Sequence, residues 1–370
     1  GNYLQMMKIL QPIASEVFQG VAQLYEYYLY TVFYFFSSKP SSTPATGPGI
    51  SLASLGQSSS TFNYHSLFQR NESEPATPVS FVDGIHDPKL QKNFANIFQT
   101  FFDSEKLDGL QLPLPKISTE LDIQSSNSMY GLKHRTVALE SLEFLAHCMN
   151  SVKVQVLQLL PRNCSEVCHS FYEQYVDIVP RVRDVIMETI SERFVNVSDL
   201  PQKIEKLKWN VTDIEMQHNQ YVNSLMEEFR MLSVKLQQVV LQGIVSRPEK
   251  DFLLTKCICL AMDQLVEGYS RIKKCSAQGR TQMSLDVQVF VTALKDIAPN
   301  IRPVPRQEHV DMYIKAYYSE NVLQWIKEHQ DEYTGKQLLG LATCTSSNMN
   351  RRDSKELFKA VDEICAKKKN

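Results

Sequence analysis

From residue 129 onward, apolar side chains recur at three- and four-residue spacing, prolines cut the pattern into segments, and no alternation of period two is sustained. That spacing leaves one apolar face per segment, which only another helix can cover, and it lacks the alternation a half-buried strand requires. It predicts helices over 129–160, 165–195, 201–208, 211–245, 249–275, 278–297, 306–318, 320–330, 334–343 and 352–366. Pro161, Pro201, Pro248, Pro299 and Pro303 punctuate them, and Pro180 is expected to kink or divide the second. The expected fold is all-α, an elongated stack of helical bundles. Glycine supports it: 13 residues in 370 is about half the usual share, which fits long helices better than glycine-rich nucleotide folds.

The first third is less regular. Residues 1–36 read as an N-terminal helix, with Leu4, Ile9, Ile13, Val17, Val21, Leu24, Tyr28 and Val32 at near-helical spacing. Its apolar end, "LYEYYLYTVFYFF" at 24–36, is too short to span a bilayer and carries Glu26, so a buried helix is expected. Residues 37–86 form a Ser/Pro/Gly-rich tract that reads as a flexible linker. Residues 87–128 hold a short amphipathic helix opened by Asp87-Pro88, with Leu90, Phe94, Ile97, Phe98, Phe101 and Phe102 on one stripe, and then a loop. A central bundle is expected over 129–247 and a C-terminal bundle over 248–370. The chain opens Gly1-Asn2 without methionine, as a cleavage scar would leave it, so its native N-terminus is expected to lie upstream.

Composition narrows the function classes. The hydrophobic share is 43%, the charged share 22% and the formal net charge −2, an ordinary globular balance that gives no sign of a nucleic-acid partner. The eight cysteines are scattered through helical patterns and are expected to be reduced thiols of a cytosolic protein. Four Asn-x-Ser/Thr tripeptides, at Asn71, Asn163, Asn196 and Asn210, would matter only in a secreted chain.

One stretch bears on catalysis: "VEGYSRIKKCSAQGRTQMSLDV", residues 266–287. A cysteine-phosphatase loop would need five residues between cysteine and arginine, a preceding strand and a nest of backbone N–H groups. Here four residues separate Cys275 from Arg280, and the residues before Cys275 have helical spacing. The stretch reads instead as a helix end with Arg271, Lys273 and Lys274 against the macrodipole, then Ser276 capping the next helix. The buried side of that next helix is expected at Leu285, Val289, Val291, Leu294 and Ile297. Cys164-x3-Cys168-His169 lacks a second ligand pair for zinc, and Cys257 and Cys259 would point to different helix faces. His147, His218, His309 and His329 have no serine or carboxylate partner pattern, and no phosphate-binding glycine loop occurs. No catalytic, cofactor-binding or metal-binding residue is assigned, and no small-molecule substrate is expected.

Two basic groups remain. One is Arg271, Lys273, Lys274 and Arg280; the other is Arg351, Arg352, Lys355, Lys359, Lys367, Lys368 and Lys369. They could contact acidic lipid head groups or an acidic partner helix, or be a solvated face with favourable helix ends; the solvated face is the favoured reading, since Asp353, Glu356, Asp362 and Glu363 interrupt the second group.

Several longer stretches carry a resemblance: "QLYEYYLY" (23–30), "MYGLKHRTVALESLEFLA" (129–146), "KWNVTDIEMQHNQYVNSLMEEF" (208–229), "VEGYSRIKKCSAQGRTQMSLDVQVF" (266–290), "IRPVPRQEHVDMYIKAYY" (301–318) and "WIKEHQDEYTGKQLLGL" (325–341). In this order they resemble the C-terminal half of the syndetin family, over most of the chain outside 37–128 and 147–200. The resemblance implies a subunit of the endosome-associated recycling protein (EARP) complex, in the helical-rod class of vesicle tethers. In that class N-terminal coiled coils assemble the complex, and C-terminal bundles meet SNAREs, Rab-type small GTPases or membrane surfaces. The implied partners include the subunits shared with the Golgi-associated retrograde protein complex. The implied location is peripheral, on recycling endosomes and trans-Golgi membranes, and the implied role is return of endocytosed cargo to the plasma membrane.

Overall fold

The computed structural model describes residues 2–9, 11–37, 88–90, 92–94, 121, 123–213, 217–319, 321–346 and 349–367. The expected linker after Ser37, the positions Ile97, Phe98, Phe101 and Phe102, and Lys368 and Lys369 lie outside the described residues. Among the described residues every regular element is a helix and no strand occurs, so the protein is all-α. The chain forms two compact units, residues 1–190 and 191–370.

The first unit holds α1 (Asn2–Ile9), α2 (Ala14–Ser37), α3 (Leu132–Leu159), α4 (Ser165–Phe171) and most of α5 (Val179–Phe194). The single helix expected up to residue 36 is broken by a 3-10 turn, Gln11–Ile13, because Pro12 has no N–H to donate and its ring crowds the preceding turn. That break resets the phase of the buried stripe. Ala14, Phe18, Ala22, Tyr25, Leu29, Val32, Phe33 and Phe36 face the core, while Leu24 of the expected stripe is 63% exposed and Ile9 is 79% exposed. Large aromatic surface decides the face: Phe18 and Tyr25 meet Phe171 edge-on at 5.6 and 5.8 Å. Residues 88–90 and 92–94 are helical, Leu90 and Phe94 are buried as the stripe predicts, and Phe94 stacks on Phe33 at 3.9 Å. Arg135 on α3 donates to the Phe36 and Tyr130 carbonyls and so ties the end of α2 to the start of α3. The expected interruption at Pro180 is present: a π-helical turn, Tyr172–Val176, ends the first segment, and Pro180 sits in the first turn of α5.

The second unit contains α6 (Leu200–Glu205), α7 (Gln220–Leu241), α8 (Arg247–Ser270), α9 (Ala277–Ile297), α10 (Gln307–Ala316), α11 (Val322–Glu328), α12 (Gly335–Ser346) and α13 (Arg351–Lys367). Helix α8 is its axis and packs on α6, α7, α10 and α12; α9 packs on α7 and α10. A capping box starts α8: Glu249 N donates to Ser246 Oγ at 3.3 Å and Ser246 N to Glu249 Oε2 at 2.8 Å. The helix expected over 211–245 starts only at Gln220. Residues 211–213 and 217–219 are not helical, and Asn219 spends its backbone and side-chain N–H groups on Asp286, at 2.9 and 2.8 Å. Asp286 also accepts from Tyr221 Oη at 2.6 Å, and the Tyr221 and Tyr269 hydroxyls are 3.0 Å apart, so α7, α8 and α9 share one buried polar junction.

Candidate partner-binding surface

The 266–287 stretch is a helix end, a connector and a helix start. Arg271 is the C-cap of α8, Ser276 is the N-cap of α9, and Ser276 Oγ accepts from Gly279 N at 3.1 Å. The connector is fixed by the segment after α6. Ser276 N donates to the Trp209 carbonyl at 3.1 Å, Ser276 Oγ donates to the Val211 carbonyl at 2.7 Å, and Val211 N donates back at 3.1 Å. Trp209 is itself buried, with Nε1 donating to the Ile204 carbonyl at 2.8 Å and its ring edge-on to Tyr269 at 5.9 Å. Burial pushes the Cys275 thiol up to about 12, the reverse of what a nucleophilic cysteine needs. Cys275 is a packing residue between helices.

Helices α6 and α8 therefore end side by side, and their C-terminal ends border an open depression of about 390 Å³. Lys208, Leu207 and Trp209 form one wall. Ile272, Lys273 and Lys274 form the other, with Arg271 and Glu205 at the rim. Lys208, Lys273 and Lys274 are exposed, and none makes an ion pair among the described residues. Arg271 is engaged: its Nη2 lies 3.0 Å from Glu267 Oε1, one helical turn back. The apolar lining, one residue from each wall, includes Ile272, which is buried, and Leu207, which is half-buried.

The first basic group is thus split. Arg271, Lys273 and Lys274 share the depression, whereas Arg280 turns away. Its guanidinium lies over the Tyr318 ring at 4.6 Å and its Nη1 donates to the Tyr317 carbonyl at 3.3 Å. The sequence pattern missed Lys208 and Trp209. The adjacent "KLKWN" was a signal, but residues near 209 gain meaning only once α6 and α8 are known to end together.

In the C-terminal group, Arg351 and Arg352 are exposed at the start of α13, and Arg352 is 3.5 Å from Glu356. Lys359 is 4.0 Å from Glu363. Leu357, Val361 and Ile364 are buried on the opposite face, so α13 is a strongly amphipathic helix whose outer side is laced with i,i+4 pairs. Lys367 is its last residue.

Among the described residues no three His, Cys, Asp or Glu side chains gather as a metal site would require, and no helix is long and apolar enough to cross a membrane. Fold and surface together define a helical-bundle protein with an open basic depression. The family described as "Syndetin, C-terminal" matches residues 129–362, and the chain belongs to the syndetin family. It is 34% identical to the syndetins of Rattus norvegicus and Mus musculus over 367 and 369 residues, 98% of this chain in each case. It is likewise 34% identical to the syndetin of Gallus gallus over 367 residues. The chain spans about a third of the length of these relatives, 35% of the rat and mouse proteins and 36% of the chicken protein. The match extends through 147–200, beyond the stretches that carry the resemblance in the sequence.

Proposed function

We propose that the chain is a non-enzymatic module of an endosomal vesicle-tethering complex of the EARP type, supporting return of endocytosed cargo to the plasma membrane through protein–protein contacts. The observation that carries this reading is the 34% identity to syndetins over 98% of the chain. The all-α bundles fit it physically, since stacked helices expose long surfaces and grooves suited to extended or helical partners. The partners on this reading are the tether subunits shared with the Golgi-associated retrograde protein complex, together with SNAREs and Rab-type GTPases. The location is the surface of recycling endosomes and trans-Golgi membranes. Cells lacking their own syndetin, re-expressing the full-length protein with or without this region, test the reading. Slower surface return of an endocytosed receptor without the region is expected, and normal return would overturn it.

A second reading, a peripheral module for anionic lipid, is favoured by the exposed bases Lys208, Lys273 and Lys274. Its signature is salt-sensitive flotation with phosphatidylserine vesicles; no enrichment at low salt would remove it.

A further inference from the structure

We propose that the depression between the ends of α6 and α8 docks an acidic peptide segment of a partner, an apolar side chain seated on Ile272 and Leu207 with carboxylates to either side reaching Lys208, Lys273 and Lys274. This deepens the protein-contact reading above and rests on it.

Charge and shape select this occupant. Three exposed lysines border one hollow with no ion pair among the described residues, and the arginine beside them is already matched by Glu267. Glu205 is the acid at the rim, so the hollow is net basic on a chain whose formal charge is −2. The helices that end here do so with their C-termini, which present backbone carbonyls. A compact polyphosphate head group bound close to the backbone wants N–H donors and a helix N-terminus, and would meet the wrong end of two dipoles. Lysine ammonium groups on four-carbon stems instead reach outward, where carboxylates spaced along a peptide can meet them without approaching the carbonyls. A hollow of about 390 Å³ with Ile272 and Leu207 in its lining suits an inserted side chain better than a flat membrane surface. The walls are held in place beforehand: Ser276 N donates to the Trp209 carbonyl, and the Ser276 hydroxyl holds both backbone groups of Val211, so little ordering is needed on binding.

The test uses the 370-residue chain and a fluorescein-labelled peptide of repeated Glu-Leu-Asp, read by anisotropy at low and at physiological salt. Binding that weakens with salt is expected. The triple variant Lys208→Glu, Lys273→Glu, Lys274→Glu is expected to bind about tenfold more weakly or worse, as the loss of three exposed charge pairs implies. The corresponding Gln variants are expected to lose less and guard against misfolding, which circular dichroism monitors. Reversal of Arg351, Arg352 and Lys355 is expected to leave binding unchanged. No peptide binding at low salt would overturn the proposal, as would binding insensitive to the triple variant or equally sensitive to the α13 variant. Vesicles of phosphatidylcholine with phosphatidylserine and a phosphatidylinositol bisphosphate form a parallel arm. Capture by vesicles but not peptide, lost in the triple variant, would overturn it in favour of a lipid head group. None of these outcomes decides the cellular recycling assay, so the two readings fail separately.

Discussion

A β-carbon placed on Gly279 would stand 1.9 Å from the carbonyl oxygen of Trp209, far inside any contact distance. The first turn of α9 and the segment after α6 touch backbone to backbone there, and the same junction shapes the basic depression. Gly279→Ala should therefore separate the two segments and destabilise the protein by about 3 kcal/mol or more, at the upper end for overpacking. Gly279→Pro should be at least as harmful, since it also removes the N–H that Ser276 Oγ accepts. Gly20, exposed in mid-α2 with nothing within 4 Å of a β-carbon, is the control. Gly20→Ala should stabilise by about 0.5–1 kcal/mol. Urea unfolding of the three variants checks the contrast, and an unchanged midpoint for Gly279→Ala would refute the close approach.

Asp286 is 1% exposed and takes donations from Asn219 N, Asn219 Nδ2 and Tyr221 Oη. Removing the carboxylate strands those donors, and each stranded buried group costs about 1–3 kcal/mol. Asp286→Ala should be among the most destabilising single changes in the second unit, about 3 kcal/mol or more. Tyr221→Phe removes the bond to Asp286 and the contact with the Tyr269 hydroxyl, and should cost about 1.5–3 kcal/mol. A melting temperature that falls more for Tyr221→Phe than for Asp286→Ala would contradict this hierarchy.

The same residue explains where the sequence misled. Helix α9 and its N-cap Ser276 were legible because caps are local signals, whereas α8, expected to run to 275, ends at Ser270 and leaves Lys273 and Lys274 in the connector. The buried side was only partly legible. Val291 and Leu294 are buried as expected, but Leu285, Val289 and Ile297 are half-buried, and Gln282, Met283, Asp286, Val287 and Phe290 face the core. Periodicity counts apolar residues, so it could not place an aspartate inside; that placement depends on Asn219 and Tyr221, more than sixty positions away. The late start of α7 has the same cause. Likewise the bases of the 271–274 connector were visible in sequence, whereas Lys208 joins them only through the packing of α6 on α8.

Cysteine reactivity should follow burial. Cys257 and Cys275 are buried, and desolvation pushes each thiol up to about 12, so alkylation at neutral pH should await unfolding. Cys148 and Cys164 are half-buried and should alkylate first. Native labelling with iodoacetamide, read peptide by peptide in a mass spectrometer, gives the order. Fast labelling of Cys275 would mean an accessible thiolate and would reopen the nucleophile reading of the connector.

Two half-buried groups, one in each unit, should make stability respond to pH in opposite directions. Burial among the aromatic residues of α2 raises the Glu26 carboxyl to about 7. In the unfolded chain it ionises near the ordinary value of about 4.3. The folded form therefore holds a proton that the unfolded form has lost, and the associated stability is full at low pH and fades as pH rises toward 7. His309, stacked on Tyr333 at 4.3 Å, is lowered to about 4 by burial and then by Arg306. Here the unfolded chain takes up the proton first, near about 6.5, so stability is full above that value and is lost as pH falls toward 4. Between pH about 7.5 and about 5.5, wild type should gain stability relative to Glu26→Gln and lose it relative to His309→Phe, which keeps a stacking ring. Melting curves of the three proteins at both pH values measure these differences. A wild-type-minus-Glu26→Gln difference that does not change with pH would show that the carboxyl is already ionised in the fold.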